Sequence, residues 1–288
     1  MRVVHRRRAA LLPVGALVVL ALAIQATAPT RPAVLWVPID TLGLGLDGLP
    51  LITPEGALRR VAGVLRDDLK LPLPPHVALH LYASPKSFEH GLVHDAGVPP
   101  ALASAVSGFA AAAAFEQTLF LLEPEVRRSG REMVRLLAHE LTHVAQIELM
   151  GGEARAAQWL AEGVADWAAE RVLERLGLAP SAGDRGRRRV VDRTWLEHPV
   201  TADLARLGEP RGFLELSGRE GPAVTYGVAF TLADHLIKRH GLSRVLEYFA
   251  AFARNPDREL NFRHAFGLTV EEFVRSAVGG PGATGSAR

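Results

Sequence analysis

The stretch His139-Glu140-Leu141-Thr142-His143 decides how the rest of this chain is interpreted. Two histidines four positions apart lie on the same face of a helix, so both imidazoles can reach one metal ion. The glutamate after the first histidine then lies beside a water molecule on that ion. This H-E-x-x-H pattern is typical of zinc hydrolases and makes Glu140 the candidate general base. A chance match is the alternative, because the chain contains 11 histidines.

A helix around this motif is predicted independently of the motif. Ser129 and Glu132 form a capping-box pattern, which marks a helix start. Apolar residues then recur at the three-to-four spacing of a helix that packs on a core: Met133, Leu137, Leu141 and Val144. The predicted helix runs from about Ser129 to about Met150 and ends at Gly151-Gly152.

A zinc site with two histidines needs a third protein ligand and one open position. The sequence W-L-A-E-G-V-A-D-W at 159–167 contains Glu162, which a returning helix would bring beside the histidines. Asp166 lies one turn further on the same face. It is the candidate acceptor for the outer N–H of a metal-bound histidine. A solvated helix glutamate is the alternative interpretation of Glu162.

A second helix, from about Glu153 to about Leu176, is predicted to carry these two carboxylates. Gly163 lies inside this helix, where glycine costs about 1 kcal/mol relative to alanine. We therefore expect a packing reason for it, namely a close approach of the two metal-bearing helices at this position.

The metal motif resembles that of the gluzincin metallopeptidases. H-E-L-T-H, eighteen further residues and then a glutamate within W-L-A-E-G-V-A-D-W are similar in particular to the peptidase MA-like domain. The resemblance implies one zinc ion held by His139, His143 and Glu162, with Glu140 as the catalytic glutamate. The chain lacks the G-x-M-E-N signature of the aminopeptidase branch, so exopeptidase activity of that type is not expected.

The resemblance extends over roughly Val77 to Val278. Y-G-V-A-F at 226–230 opens a predicted helix that ends at His240-Gly241, and A-F-G-L-T-V-E-E-F at 265–273 is similar to that family's closing helix. In gluzincins a tyrosine from a helix beyond the third ligand stabilises the oxyanion of amide hydrolysis. The resemblance assigns this role to Tyr226. A half-buried tyrosine on a packed helix is the alternative.

The expected fold class is α+β and mostly helical: a small mixed sheet, then a zincin-type helix pair, then a helical C-terminal part. A helix from Thr53 to about Leu69 and a short helix around Phe88 accompany two predicted strands, Val77–Ser84 and Gln117–Leu122. By resemblance the second strand is the sheet edge above the zinc, where a substrate backbone could add. The predicted metallopeptidase domain covers residues 34–278, and residues 279–288 are a predicted disordered tail.

Charge and cysteine content exclude several classes of protein. The chain has no cysteine, which excludes disulfides and thiolate metal ligands. Four of the 33 basic residues lie within residues 1–28, which contain no acidic residue. The rest of the chain therefore has 29 basic and 31 acidic residues, and nothing in this balance indicates a nucleic-acid partner.

The N-terminus resembles an export signal. Arg6-Arg7-Arg8 precede an apolar run from Ala9 to Ile24, and Ala26-Thr27-Ala28 supplies a cleavage pattern. A cleaved signal sequence and an uncleaved membrane anchor over residues 9–28 both remain open. Both place the following domain outside the cytoplasm, because the arginines stay inside.

A second histidine pair, His90 and His94, has the same spacing but no third ligand after it, so no second metal site is expected. The sequence thus predicts an exported zinc-dependent metallopeptidase that hydrolyses peptide or protein substrates through a zinc-activated water, with Glu140 as general base. Two alternatives remain. One is a catalytically inactive, membrane-tethered zinc-binding or scaffold protein of the same fold. The other is a membrane-tethered interaction module in which the motif is accidental.

Overall fold

The computed structural model describes residues 32–39, 53–108, 110–127, 130–178 and 203–279. Within these ranges the chain is mostly helical and contains a four-stranded mixed sheet, so the α+β expectation is confirmed. The predicted signal or anchor at 1–28 and residues 280–288 of the predicted tail lie outside the described residues. None of the described helices is long and apolar enough to cross a membrane.

The strands are β1 (Ala33–Pro38), β2 (His76–Tyr82), β3 (Ala112–Phe115) and β4 (Thr118–Leu122). The helices of the first half are α1 (Pro54–Asp67), α2 (Pro85–His94), α3 (Pro100–Ser107), α4 (Glu123–Val126), α5 (Gly130–Leu149) and α6 (Gln158–Arg175). The helices described after residue 202 are α7 (Leu204–Leu207), α8 (Pro210–Glu220), α9 (Pro222–His240), α10 (Leu242–Ala251), α11 (Arg258–Phe266) and α12 (Val270–Gly279).

The order of the strands corrects one expectation. The sheet runs β1-β2-β4-β3, with β2 and β4 parallel and both outer pairs antiparallel. The strand at Thr118–Leu122 is therefore central, and the expectation that it forms the sheet edge is wrong. The edge is β3, whose alanine-rich sequence A-A-A-F carries little strand propensity and gave no signal in the sequence.

Each face of the sheet is covered by a different set of helices. On one face Val77, Leu79 and Leu119 join the side chains of α1 and α5 in one buried cluster. On the other face Tyr82 and Phe120 pack against α2 and α3 in a smaller one. The period-two alternation of the strands therefore places α5, and the metal motif on it, directly against the sheet.

Helix α5 has the bounds that the sequence predicted to within a residue. It ends before Gly151 and Gly152, which have φ of +79° and +101°, a conformation that favours glycine. Ser129 of the predicted capping box lies outside the described residues. The helix start predicted at Thr53 is also confirmed, since the Thr53 hydroxyl accepts a hydrogen bond from the Gly56 N–H at 3.1 Å.

Helix α6 begins at Gln158, five residues later than predicted. The preceding segment is used for tertiary contacts instead of helical ones. The Arg155 carbonyl accepts from the Arg258 side chain at 2.7 Å, and the Gln158 N–H donates to the Gly208 carbonyl at 3.0 Å. These bonds connect the turn between α5 and α6 to the C-terminal half of the chain.

Gly163 has a packing reason, but it differs from the one predicted. A Cβ at this position would lie 2.1 Å from the Ala229 carbonyl oxygen and 2.8 Å from the Ala233 Cβ. Both neighbours belong to α9, so the close approach is between α6 and α9. The expectation of a close approach between α5 and α6 at Gly163 is therefore wrong.

The C-terminal motif at 265–273 also differs from a single closing helix. Helix α11 ends at Phe266 with Gly267 as a left-handed cap, φ +74°, and α12 begins at Val270. The motif is thus a junction between two helices. Its Thr269 and Glu272 form a reciprocal cap, in which each side chain accepts from the other residue's backbone N–H.

Candidate metal centre

Helices α5 and α6 pack side by side and bring the three predicted ligands together. His139, His143 and Glu162 form the one group of potential ligands, among the residues described, whose ligand atoms all lie within 4.8 Å of one another. His139 and Glu162 are each only 8 % exposed. The arrangement follows from the helical repeat, because each histidine returns to the same face after four residues and that face points at α6.

The distances within this group match a tetrahedral metal site. The Nε2 atoms of the two histidines are 3.1 Å apart, and Glu162 Oε2 lies 3.1 Å from His139 Nε2 and 3.5 Å from His143 Nε2. Three atoms bound tetrahedrally to a zinc ion at 2.0–2.1 Å would be about 3.3 Å apart. Two nitrogens and one carboxylate oxygen at these separations could hold a metal ion without rearrangement.

His139 is supported from behind by two charged residues. Its Nδ1 donates to Asp166 Oδ1 at 3.0 Å, and the same oxygen accepts from Arg135 at 3.3 Å. The structure therefore places Asp166 where the sequence predicted it. Arg135, one turn before His139 on α5, was not singled out from the sequence. The contact fixes the His139 ring and leaves Nε2 facing the other two ligands.

The residues that hydrogen-bond the outer atoms of His143 and Glu162 were not predicted from the sequence. His143 Nδ1 lies 2.8 Å from Gln146 Oε1, and Gln158 Nε2 donates to Glu162 Oε1 at 2.7 Å. The signal that could have found them is the helical spacing, since Gln146 follows His143 by three residues and Gln158 precedes Glu162 by four. Every ligand thus has one atom toward the centre and one held by a polar side chain.

Burial and charge act together on the ionisation of the ligands. Burial opposes the charge of Glu162, but the two facing histidines outweigh it and hold the pKa of Glu162 far below its usual range. Burial likewise lowers the pKa of His139, but its bonds to Asp166 and Glu162 raise that pKa well above the ordinary value.

Glu140 and Tyr226 lie beside the ligands and line one cavity of about 320 Å³ together with Arg135 and His139. Glu140 is 5 % exposed, and burial raises the pKa of its carboxyl. Burial and the nearby carboxylates raise the pKa of Tyr226 well above its ordinary value, so its hydroxyl stays protonated and can donate. The Tyr226 ring packs edge-on against Phe213, with centroids 5.1 Å apart.

The edge strand of the sheet forms another wall of this cavity. Ala112 at the start of β3 lines it together with the preceding Ala110 and Ala111, and Pro222 and Ala223 at the start of α9 also belong to the lining. The lining of the cavity thus includes residues from the start of β3 and from α5, α6 and α9.

The second histidine pair differs from the first. His90 and His94 are both exposed on α2, with ring centroids 4.0 Å apart. They belong to no group of three potential ligands within the described part of the chain. Both histidine pairs have the same helical spacing, but among the described residues only His139 and His143 have a carboxylate, that of Glu162, close enough to join them in a metal site.

Residues 82–149 match the sequence family described as the eCIS core domain. The match runs from the end of β2 through α5 and includes His139, Glu140 and His143. It ends before Glu162 and Tyr226, and it covers less than half of the chain. No curated protein and no solved structure matches the chain.

Proposed function

We propose that this protein is an exported zinc-dependent metallopeptidase of gluzincin type with a peptidase MA-like fold, acting on peptide or protein substrates. The observation that carries the proposal is the convergence of three ligand atoms, at separations close to the edges of a tetrahedron, beside Glu140 in a cavity. Two histidines and one glutamate with an open fourth position are a donor set of catalytic zinc sites.

A zinc ion held by His139, His143 and Glu162 would supply Lewis-acid activation of a water molecule and of the scissile carbonyl. Glu140 takes the proton from the attacking water and returns it to the departing amine. Burial raises the pKa of its carboxyl toward neutral pH. A carboxyl with such a pKa suits both steps, because it can accept the proton and release it again. The Tyr226 hydroxyl donates a hydrogen bond to the oxyanion of the tetrahedral intermediate.

The free edge of β3 offers a way to orient a substrate. One side of β3 is paired with β4, from Ala112 opposite Leu121 to Phe115 opposite Thr118, and Ala112 at its start lines the cavity. An extended peptide could add to this edge through backbone hydrogen bonds, which do not depend on side-chain identity. The small side chains of Ala110, Ala111 and Ala112 leave room for the backbone to approach.

The variant Glu140→Gln tests the mechanism. Hydrolysis of a diverse fluorogenic peptide library should fall by about 10²–10⁴-fold, because the amide cannot act as a base, while bound zinc is unchanged. Glu148→Gln is the matched control, since Glu148 is an exposed glutamate on the same helix. Wild-type turnover by Glu140→Gln would contradict the mechanism. A zinc-loaded wild type that cleaves no member of the library would favour the inactive scaffold instead.

A further inference from the structure

Gln146 is a buried side chain with two well-defined hydrogen bonds beside the metal centre. It is 2 % exposed. Its Oε1 lies 2.8 Å from His143 Nδ1, and its Nε2 lies 3.0 Å from the Ala161 carbonyl oxygen on α6. Both ends of the Gln146 amide are therefore hydrogen-bonded: the oxygen to a residue of α5, and the nitrogen to a residue of α6.

The orientation of this amide follows from the chemistry of its neighbours. The Ala161 carbonyl can only accept, so the Gln146 atom that faces it must be the NH₂ group. The amide oxygen then faces His143, and an oxygen can only accept, so Nδ1 of a neutral His143 must carry the ring proton. The other nitrogen, Nε2, is then unprotonated, and it is the atom that lies 3.1 Å from His139 Nε2 in the ligand group.

We propose that Gln146 is a positioning residue of the metal centre, which sets the tautomer of His143 and connects it to the backbone next to Glu162. Ala161 immediately precedes Glu162, so one buried side chain relates the position of a ligand on α5 to that of a ligand on α6. The centre is then asymmetric: His139 is oriented by the Asp166 carboxylate, and His143 by a neutral amide. The inference rests on the proposed zinc site and not on turnover.

The tautomer can be measured without metal or activity. Long-range ¹H–¹⁵N NMR of the full-length protein, at a pH where the His143 ring is neutral, should show the proton on Nδ1. In Gln146→Met, which keeps the length but has no acceptor, both tautomers should appear. In Gln146→Glu, which keeps an acceptor for Nδ1 and loses the donor to Ala161, the Nδ1–H tautomer should persist. A wild-type ring protonated on Nε2, or a Gln146→Met ring that stays on Nδ1, would overturn the inference.

Zinc affinity supplies the second readout. Gln146→Met should raise the Kd for zinc, measured by competition with a chelator, by about 10–100-fold, the usual effect of losing a partner of a ligating histidine. Thr142→Val is the matched control, and its Kd for zinc should stay within about twofold of the wild-type Kd. Thr142 is fully buried on the same helix, but its hydroxyl bonds only to the Ala138 carbonyl.

The two readouts separate this inference from the proposed function. A wild type without zinc would remove the proposed function, and the tautomer measurement would still decide the role of Gln146. Equal zinc affinity of wild type and a folded Gln146→Met, as judged by circular dichroism, would contradict the positioning role while leaving the zinc site in place.

Discussion

At the residue scale each predicted ligand uses two atoms: one faces the centre of the group, and the other is held by a neighbouring side chain. The histidines and Glu162 could be predicted from the sequence, because metal ligation demands particular residue types at helical spacing. Gln146 and Gln158 also lie at helical spacing from a predicted ligand, but that spacing alone does not show that they contact it. Glutamine is common on helices, and only the packing of α5 on α6 shows which ones face inward.

Tyr226 is the residue whose role most needs a direct test. Tyr226→Phe removes the donor but keeps the ring that packs on Phe213. We expect kcat to fall by about 10²–10³-fold, the usual loss for one oxyanion donor, with KM and bound zinc little changed. Steady-state kinetics on a cleaved library peptide measure this. An unchanged kcat would leave Tyr226 as a packing residue only.

At the element scale the decisive feature is α6, which packs against α5 on one side and α9 on the other. Its apolar residues divide between the two larger clusters: Ala168, Ala169, Val172 and Leu173 belong to the first, and Trp159, Leu160 and Val164 to the second. An apolar pattern on two faces predicts a buried helix, but it does not determine which face packs against which neighbouring helix. The partner at Gly163 was therefore mispredicted.

Gly163→Ala tests the approach of α6 to α9. The added Cβ would meet the Ala229 backbone oxygen, which cannot move without displacing α9, so we expect a loss of stability of about 1–3 kcal/mol or more. Urea unfolding measures it. Gly218→Ala is the matched control, because Gly218 lies in a helix with open space around it and should gain up to about 1 kcal/mol. Equal effects of the two substitutions would contradict the close approach.

The sheet shows the same limit of sequence reasoning. Strands β2 and β4 are rich in branched and aromatic residues and were predicted, whereas β3 is held by its pairing with β4. Because alanine has no strand preference of its own, the edge strand that borders the cavity is visible only once its partner is in place.

At the scale of the whole molecule, the candidate metal centre lies where two hydrophobic clusters meet. Helix α5 contributes its apolar residues to the first, α9 to the second, and Trp167 packs against both. The Trp167 indole N–H also donates to Asp234 on α9 at 3.2 Å. An ion held by both α5 and α6 would therefore add stability to the whole fold, by an amount that grows with the logarithm of its free concentration divided by its Kd.

Buried tyrosines make the stability of the fold sensitive to alkaline pH. Burial raises the pKa of Tyr248 to about 12, above the value near 10 of an unfolded tyrosine. The unfolded chain therefore loses this proton first, and the stabilisation present below pH 10 is lost as pH rises through about 12.

Tyr248→Phe should accordingly reduce the slope of stability against pH in this window by about 1.4 kcal/mol per pH unit, the value for one proton. Denaturant unfolding at a series of pH values gives the slope, which is independent of the hydrogen bond from the Ala157 N–H that the substitution also removes. Identical slopes for wild type and variant would contradict the assignment.

The measurement that tests the central claim most directly is the zinc content of the purified protein by elemental mass spectrometry. Wild type should contain one zinc per chain, and His143→Ala and Glu162→Ala should contain none. His94→Ala, from the exposed histidine pair without a third ligand, is the matched control and should keep the metal. A wild type that stays metal-free when zinc is supplied, or variants that keep their zinc, would contradict the three-ligand centre.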